Sequence, residues 1–447
     1  MSHGTLLISD YRSHRLFRWS LPEGGGSTKS SAGVLNEEPR PGVLAEHAGF
    51  LALPSGGRFA AAYADDLRGR LVLLGREGSL SAEVPIAIPA EHLAISDCGS
   101  FLAVTTGCGM NIEPFSDLLT LIDLRPEAPT PVRVRVRMGE PGVAVVRDDE
   151  DRLHVLLRHR GETAASGEFI GRGAVEAIPV EKILTAGPHV PQVRGAVTED
   201  IAPDGHGDVY DPVNKSFWCS TSRGLERFVV LGGRPVAQGI TAWPVAGRAF
   251  YLRIEPVSRR IWATLRGGTG DPASWAQWTN WVMSATIGPD GALTPETIPL
   301  PQGLVFRLDV APDSASGTLI SPDGDLVWIV DVGAEGLSLR QGDLAPMTYP
   351  PRPGRPPWDG GPDGSAQRRA VAVLPELEVV AVTSGGDGKV ELHRRGSEGL
   401  VQTRLCRPGE ELGEESLNEV LDVPLDEGGH MMWLPGTPRE QVDLIGR

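Results

Sequence analysis

Ser321-Pro322-Asp323-Gly324-Asp325-Leu326-Val327-Trp328-Ile329-Val330 sets a turn directly before a run of β-branched and aromatic residues. Proline presets φ for the first corner of a turn, and glycine accepts a positive φ without a Cβ clash. The run that follows is too short for a self-supporting helix and has the composition of a pleated strand. Thr318 to Ser321 supplies the strand before the turn, so the stretch reads as a hairpin. The phrase recurs. Ser96-Asp97-Cys98-Gly99 turns into Phe101-Leu102-Ala103-Val104-Thr105, and Ser55-Gly56-Gly57 turns into Arg58 to Ala64. Copies begin near Phe50, His92, Val143, Val209, Phe250, Thr318 and Val371. Internal repetition of roughly 40 to 65 residues matches one four-stranded blade plus loops.

The two ends extend the pattern. Thr5 to Asp10 and Arg15 to Ser20 read as later strands of a unit that lacks its first strand, and Met431 to Pro435 supplies a lone first strand. The expectation is an all-β chain: one closed β-propeller over residues 1–447, with seven or eight four-stranded blades. The last blade is completed by both termini, strands 5–20 pairing with 431–435. Residues 21–40 and 345–366, rich in Gly and Pro, read as loops. A pair of β-sandwiches would explain the strands but not the complementary ends.

The stretches at 96–105 and 321–330, with Leu7-Ile8-Ser9-Asp10 leading to Arg15-Leu16-Phe17-Arg18-Trp19, resemble the β-propeller superfamily of YVTN, lactonase-like and WD40-like proteins. The Gly-His and Trp-Asp pair of WD40 repeats is missing. The resemblance implies the fold and no function, because propellers host unrelated activities.

Composition narrows the function classes. Apolar residues make up 40% of the chain, enough for a large core, so a disordered chain is excluded. The net charge of -16 argues against nucleic acid as a partner. No run of about 18 apolar residues occurs, so no membrane-spanning helix is expected. The first residues, Met-Ser-His-Gly, carry no basic region followed by an apolar stretch, so a cytoplasmic protein is expected. Cys98, Cys108, Cys219 and Cys406 form no Cys-x-x-Cys pair and read as free thiols.

The chemical lead is a set of histidines. In a propeller the first strand of each blade lines the axis, and the residue just before it faces the channel mouth. Across the copies this slot reads His47, His92, Glu140 and His206, with His430 in the composite blade and Arg248 and Arg369 at or near it later. Ten His in 447 residues predict about 0.2 His across eight such slots by chance. Four imidazoles converging on one axis would suit a transition metal, iron, copper or zinc, rather than calcium or magnesium. Glu140 could orient a ligand histidine or act as a base. The arrangement is similar in kind to carotenoid-cleavage oxygenases, propellers with an axial iron on four histidines, though none of their motifs occurs here. The blander reading has these histidines capping strand ends. Trp275, Trp278 and Trp281 could wall a small-molecule substrate together with Arg248 and Arg369, or simply pack an insertion.

Two function classes follow. One is a metal-dependent enzyme, of oxygenase or lyase type, acting on a small organic molecule in the channel. The other is a non-catalytic scaffold binding a protein partner on its rim, with the acidic stretch 409–427 as a contact segment. Gly-x-Ser-x-Gly, P-loop, His-Glu-x-x-His and Rossmann fingerprints are absent, which removes the common hydrolase, NTPase, zincin and dehydrogenase readings.

Overall fold

A computed structural model describes residues 2–10, 15–22, 32–34, 43–44, 50–54, 58–64, 68–75, 80–107, 115–164, 169–357, 368–375, 378–384, 390–395, 400–402 and 428–435 of the chain. Among them the chain forms eight antiparallel sheets of four or five strands and one two-stranded ribbon. We call the sheets A to H in spatial sequence.

Sheet A joins Ser2–Asp10, Arg15–Pro22 and Ala32–Val34 to Gly428–Pro435 from the far end of the chain. The register is antiparallel, with Leu6 opposite Trp433 and Leu7 opposite Met432. Sheet B centres on Arg58–Ala64, Gly69–Gly75 and Leu80–Ile86, with Phe50–Ala52 and Val43–Leu44 both pairing with its Arg58–Ala64 strand. Sheet C runs Ala90–Ile95, Phe101–Thr106, Asp117–Asp123, Thr130–Val136. Sheet D runs Gly142–Arg147, Leu153–His159, Ala174–Pro179, Ala196–Thr198, with the ribbon and a short helix, Val180–Leu184, inserted. Sheets E to H begin with Asp208–Asp211, Arg248–Glu255, Leu304–Ala311 and Val371–Leu374 and continue as four-stranded meanders.

The first strand of each sheet touches the first strand of the next, from B through H, and that of A touches those of both H and B. The apolar runs explain why. Thr5-Leu6-Leu7-Ile8 does not alternate with polar residues, as a strand buried on both faces should not. Leu6 and Ile8 pack with Ala372, Leu374 and Ala381 of sheet H, whereas Leu7 packs with Phe59, Ala61 and Val72 of sheet B. Similar clusters fill every other junction between successive sheets. At the junction of F and G, Trp262 and Trp328 are fully buried. Gly317, the strand partner of Trp328, leaves the indole its room, since a Cβ there would lie 2.3 Å from the ring.

The outermost strands carry the mixed polarity of a half-solvated edge. Thr130–Val136, for example, buries only Val134 and Val136. Carboxylates near the starts of third strands fasten the loops that feed the sheets. Asp117 accepts from Thr106 Oγ1 (3.1 Å) and the Gly139 N–H (2.9 Å), and Glu226 accepts from Thr221 Oγ1 (2.7 Å) and the Ala202 N–H (3.2 Å).

Candidate functional site

Residues of the first strands and of the turns that lead into them line a cavity of about 150 Å³. Six sheets contribute to its wall: His92 and Leu93 from C, Val143 from D, His206 and Asp208 at the start of E, Tyr251 and Arg253 from F, Arg307 from G and His430 from A. Regular pleating would not turn all of these side chains to one point. The pairing shifts by one residue between Thr105 and Thr106 opposite His92 and Ala90, between Ala249 and Leu252, between Val305 and Leu308, and between Ile8 and Asp10 opposite Met431 and Gly428. Each is a β-bulge, which re-aims a neighbouring side chain and raises the local twist. His92, Tyr251, Arg307 and His430 each sit at one of them.

Hydrogen bonds fix the histidines from behind. The His206 N–H donates to the Ser220 carbonyl at 3.0 Å, and its ring meets Phe250 edge-on with centroids 5.2 Å apart. The His430 N–H donates to Ser9 Oγ at 2.7 Å. Nη1 of Arg307 lies 2.6 Å from Nδ1 of His430 and 3.1 Å from Nε2. A guanidinium can only donate, so the imidazole offers it a lone pair. Beneath His206 the fully buried Arg158 donates to the His206 carbonyl (2.8 Å), the Glu140 carbonyl (3.3 Å) and the Asp208 carboxylate (2.9 Å).

Positive charge dominates the cavity. Arg253 is open to the cavity but surrounded by protein. That desolvation pulls its pKa below the usual arginine value; Asp309 opposes the drop and the neighbouring Arg307 adds to it. Burial pushes the Asp309 carboxyl above its usual range, against hydrogen bonds from the backbone of Val373 and Val310 and the charge of Arg253. Asp208, the carboxylate in the wall, is already held by Arg158. A larger groove of about 690 Å³ lies outside, between outer strands of B and C, where Arg70 pairs with Glu83 at 3.3 Å. It shares no residue with the histidine-lined cavity.

Of the residues singled out in the sequence, His92, His206 and His430 come together in this cavity. His47 lies outside the described residues. Glu140 points its carboxylate to Arg160, with a backbone φ of 45°, and is not part of the cavity wall. Arg248 stands beside the cavity, paired with Asp204 and lying 4.3 Å from the centre of the Phe250 ring. Arg369 is buried and committed to Asp325 at 2.8 Å and to the Thr383 carbonyl at 3.3 Å. Trp275 and Trp278 are buried with Leu304, Ile320 and Met347, whereas Trp281 packs in the core between E and F. The three indoles therefore do not share one wall.

Sequence reasoning missed Arg253, Arg307 and Tyr251. A usable signal existed: Phe250-Tyr251-Leu252-Arg253-Ile254 and Val305-Phe306-Arg307-Leu308 each interrupt an apolar first strand with an arginine.

A transition metal would need several lone pairs aimed at one point. Among the described residues no group of three or more His, Cys, Asp or Glu is gathered closely enough to hold an ion. The His430 ring faces a guanidinium. The described residues as arranged do not fit a bound metal.

No family model matches the sequence, and no curated protein matches it. Solved structures do. AztD from Citrobacter koseri superposes with a TM-score of 0.61 at 12% identity, covering 98% of this chain and 100% of that one. Its apo form gives 0.62 at 12% identity, covering 98% and 99%. Dihydro-heme d1 dehydrogenase NirN in complex with DHE gives 0.55 at 13% identity, covering 96% and 75%. These similarities show a β-propeller-like fold.

Proposed function

We propose that the eight sheets are the blades of a single closed β-propeller spanning the chain, and that its axial cavity binds a small organic anion. Closure is supported by the contacts of A's first strand with both H and B, and by an apolar cluster at every junction. The observation that carries the ligand class is the pair Arg253 and Arg307, which line one cavity whose own carboxylate, Asp208, is engaged by Arg158. Two guanidiniums lining one concave site favour a carboxylate or phosphate and offer it forked donors. Tyr251 and the imidazoles of His92 and His206 would orient the rest of the ligand. The NirN structure, similar in fold and in complex with DHE, supports a small-molecule role.

Isothermal titration with citrate and with inorganic phosphate tests this reading. Saturable binding to the wild type is expected, weakened about tenfold or more in Arg253→Gln and Arg307→Gln variants. Absence of binding at millimolar concentration, or affinities unchanged by both substitutions, would overturn it.

The convergence of three imidazoles from distant parts of the sequence favours a second reading: iron, copper or zinc on His47, His92, His206 and His430 serving an oxygenase or lyase, with Arg307 displaced from His430. Elemental analysis of untagged protein separates the two, since this reading requires stoichiometric metal that falls in a His92→Ala/His206→Ala variant. A metal-free protein that binds no anion and copurifies with a stoichiometric partner would instead favour a cytoplasmic scaffold.

A further inference from the structure

We infer that Arg266, with Arg248 beside it, forms a second anion subsite at the edge of the axial cavity, and that the ligand is an organic dianion bridging the two. This rests on the anion-binding reading above and narrows its ligand class.

Arg248 and Arg266 are direct partners across the first two strands of sheet F. Like charges directly opposite on a ladder destabilise it. Arg248 is relieved by Asp204, whose carboxylate also accepts from the Ser222 N–H and Oγ, each at 3.1 Å. Arg266 has no such relief: no described carboxylate or carbonyl lies within hydrogen-bonding reach of its guanidinium. Two aromatic faces hold it instead, Phe250 at 3.8 Å and Trp278 at 4.0 Å from the guanidinium carbon to the ring centres. Burial, and secondarily the charge of Arg248, pull its pKa down to about 10. Stacking on two rings fixes the guanidinium plane and leaves the donors on its edges free for a planar, forked acceptor.

The two subsites are continuous. Phe250, whose ring carries both Arg248 and Arg266, also lines the cavity that holds Arg253 and Arg307. Arg248 and Arg253 are five residues apart on one strand, a span of about 16 Å before the bulge shortens it. One anionic group would sit at Arg253 and Arg307, an apolar linker would run along Phe250, and the second group would take the edge of Arg266. The positions of Trp278 and Gly268 belong to the same construction. Gly268 has a φ of 114° and a Cβ there would touch the Trp278 ring at 3.0 Å, so glycine lets the indole lie flat on Arg266.

The test is a titration series of linear α,ω-dicarboxylates, from malonate to sebacate, against monocarboxylates of equal length. At one chain length the dicarboxylate is expected to bind the wild type about tenfold or more tightly than its monocarboxylate. Arg266→Gln and Arg266→Met should remove that advantage while leaving monocarboxylate affinity unchanged, with a melting temperature equal to or above wild type because the like-charge opposition is gone. Equal affinity for both series, or equal weakening of both by the substitutions, overturns the second subsite and leaves the axial site standing. Failure of every carboxylate to bind the wild type overturns the axial reading, and this inference with it.

Discussion

Arg307 and His430, separated by 123 positions in the sequence, meet with Nη1 and Nδ1 2.6 Å apart in the wall of one cavity. The contact links sheet G to the strand that the C-terminal part of the chain adds to sheet A. Replacing the imidazole with an apolar ring leaves a half-buried guanidinium without that acceptor. His430→Phe is therefore expected to cost about 1–3 kcal/mol of stability, whereas His430→Gln keeps an acceptor and retains most of it. Urea denaturation of the two variants gives the comparison, and equal losses would show that the contact contributes nothing specific.

The union of the two chain ends is sensitive at one glycine. A Cβ on Gly4 would lie 2.2 Å from the Trp433 ring and 2.6 Å from the Leu434 carbonyl oxygen. Gly4→Ala must push the Gly428–Pro435 strand away from Ser2–Asp10, at a cost of about 1–3 kcal/mol. Limited proteolysis should then cut near residue 428 faster than in wild type, and unchanged proteolysis would argue that this pairing is slack.

Two buried carboxylates set an acid limit. Burial raises the Glu176 pKa, but the His159 ring 3.3 Å away and the Gly195 N–H bring it net below the ordinary value. Burial likewise opposes, and His393 at 3.4 Å, the Ala345 N–H and Arg369 outweigh, in the case of Glu391. A carboxyl whose folded pKa is depressed stabilises the fold above its unfolded pKa and loses that contribution as pH falls through the folded pKa. Stability should thus decline as the pH drops below about 4.5. Glu391→Gln should flatten part of that decline in urea melts run from pH 6 to 3.

The two described thiols should differ in reactivity. Cys98 is exposed, and although burial opposes, hydrogen bonds from Ser100 and Ser96 bring its pKa below the usual thiol value. Cys219 is buried, and desolvation drives its pKa well above that value. Thiolate is the reactive form. Brief alkylation at pH 8 followed by peptide mapping should label Cys98 and spare Cys219, which should react only in denaturant. Equal labelling would contradict the burial of Cys219.

The sequence displayed the strands that are buried on both faces and hid the rest. Runs such as Leu6-Leu7-Ile8 and Val379-Val380-Ala381-Val382 announce themselves because each side chain has a neighbouring sheet to pack against. Outer strands such as Arg234–Thr241 and Gly336–Asp343 have no such constraint and carry no unbroken apolar run to mark them. Three of the histidines were legible because one strand position recurs in each repeat. Arg253 and Arg307 left a weaker trace, a single arginine interrupting an apolar first strand, and the bulges that bring Tyr251 and Arg307 into the cavity cannot be read from residue type. The tryptophans misled for a related reason: spacing of three on a short 3-10 turn, Pro272–Gln277, and the strand after it sends Trp275 and Trp281 into different cores.

Arg158 ties the site to the fold. Its side chain is fully buried and holds Asp208, the Glu140 carbonyl and the His206 carbonyl together. Arg158→Leu strands the Asp208 carboxylate beside an apolar group and should cost about 3–5 kcal/mol, as when one partner of a buried ion pair is removed. Removing both charges in Arg158→Leu/Asp208→Leu should restore much of that stability, because neither charge then remains unpaired. Anion affinity should not return with it, since the loop carrying His206 has lost its anchor. Denaturation and citrate titration on the same two variants separate the effects. Recovery of stability and affinity together would show that Arg158 supports the cavity only through the overall fold.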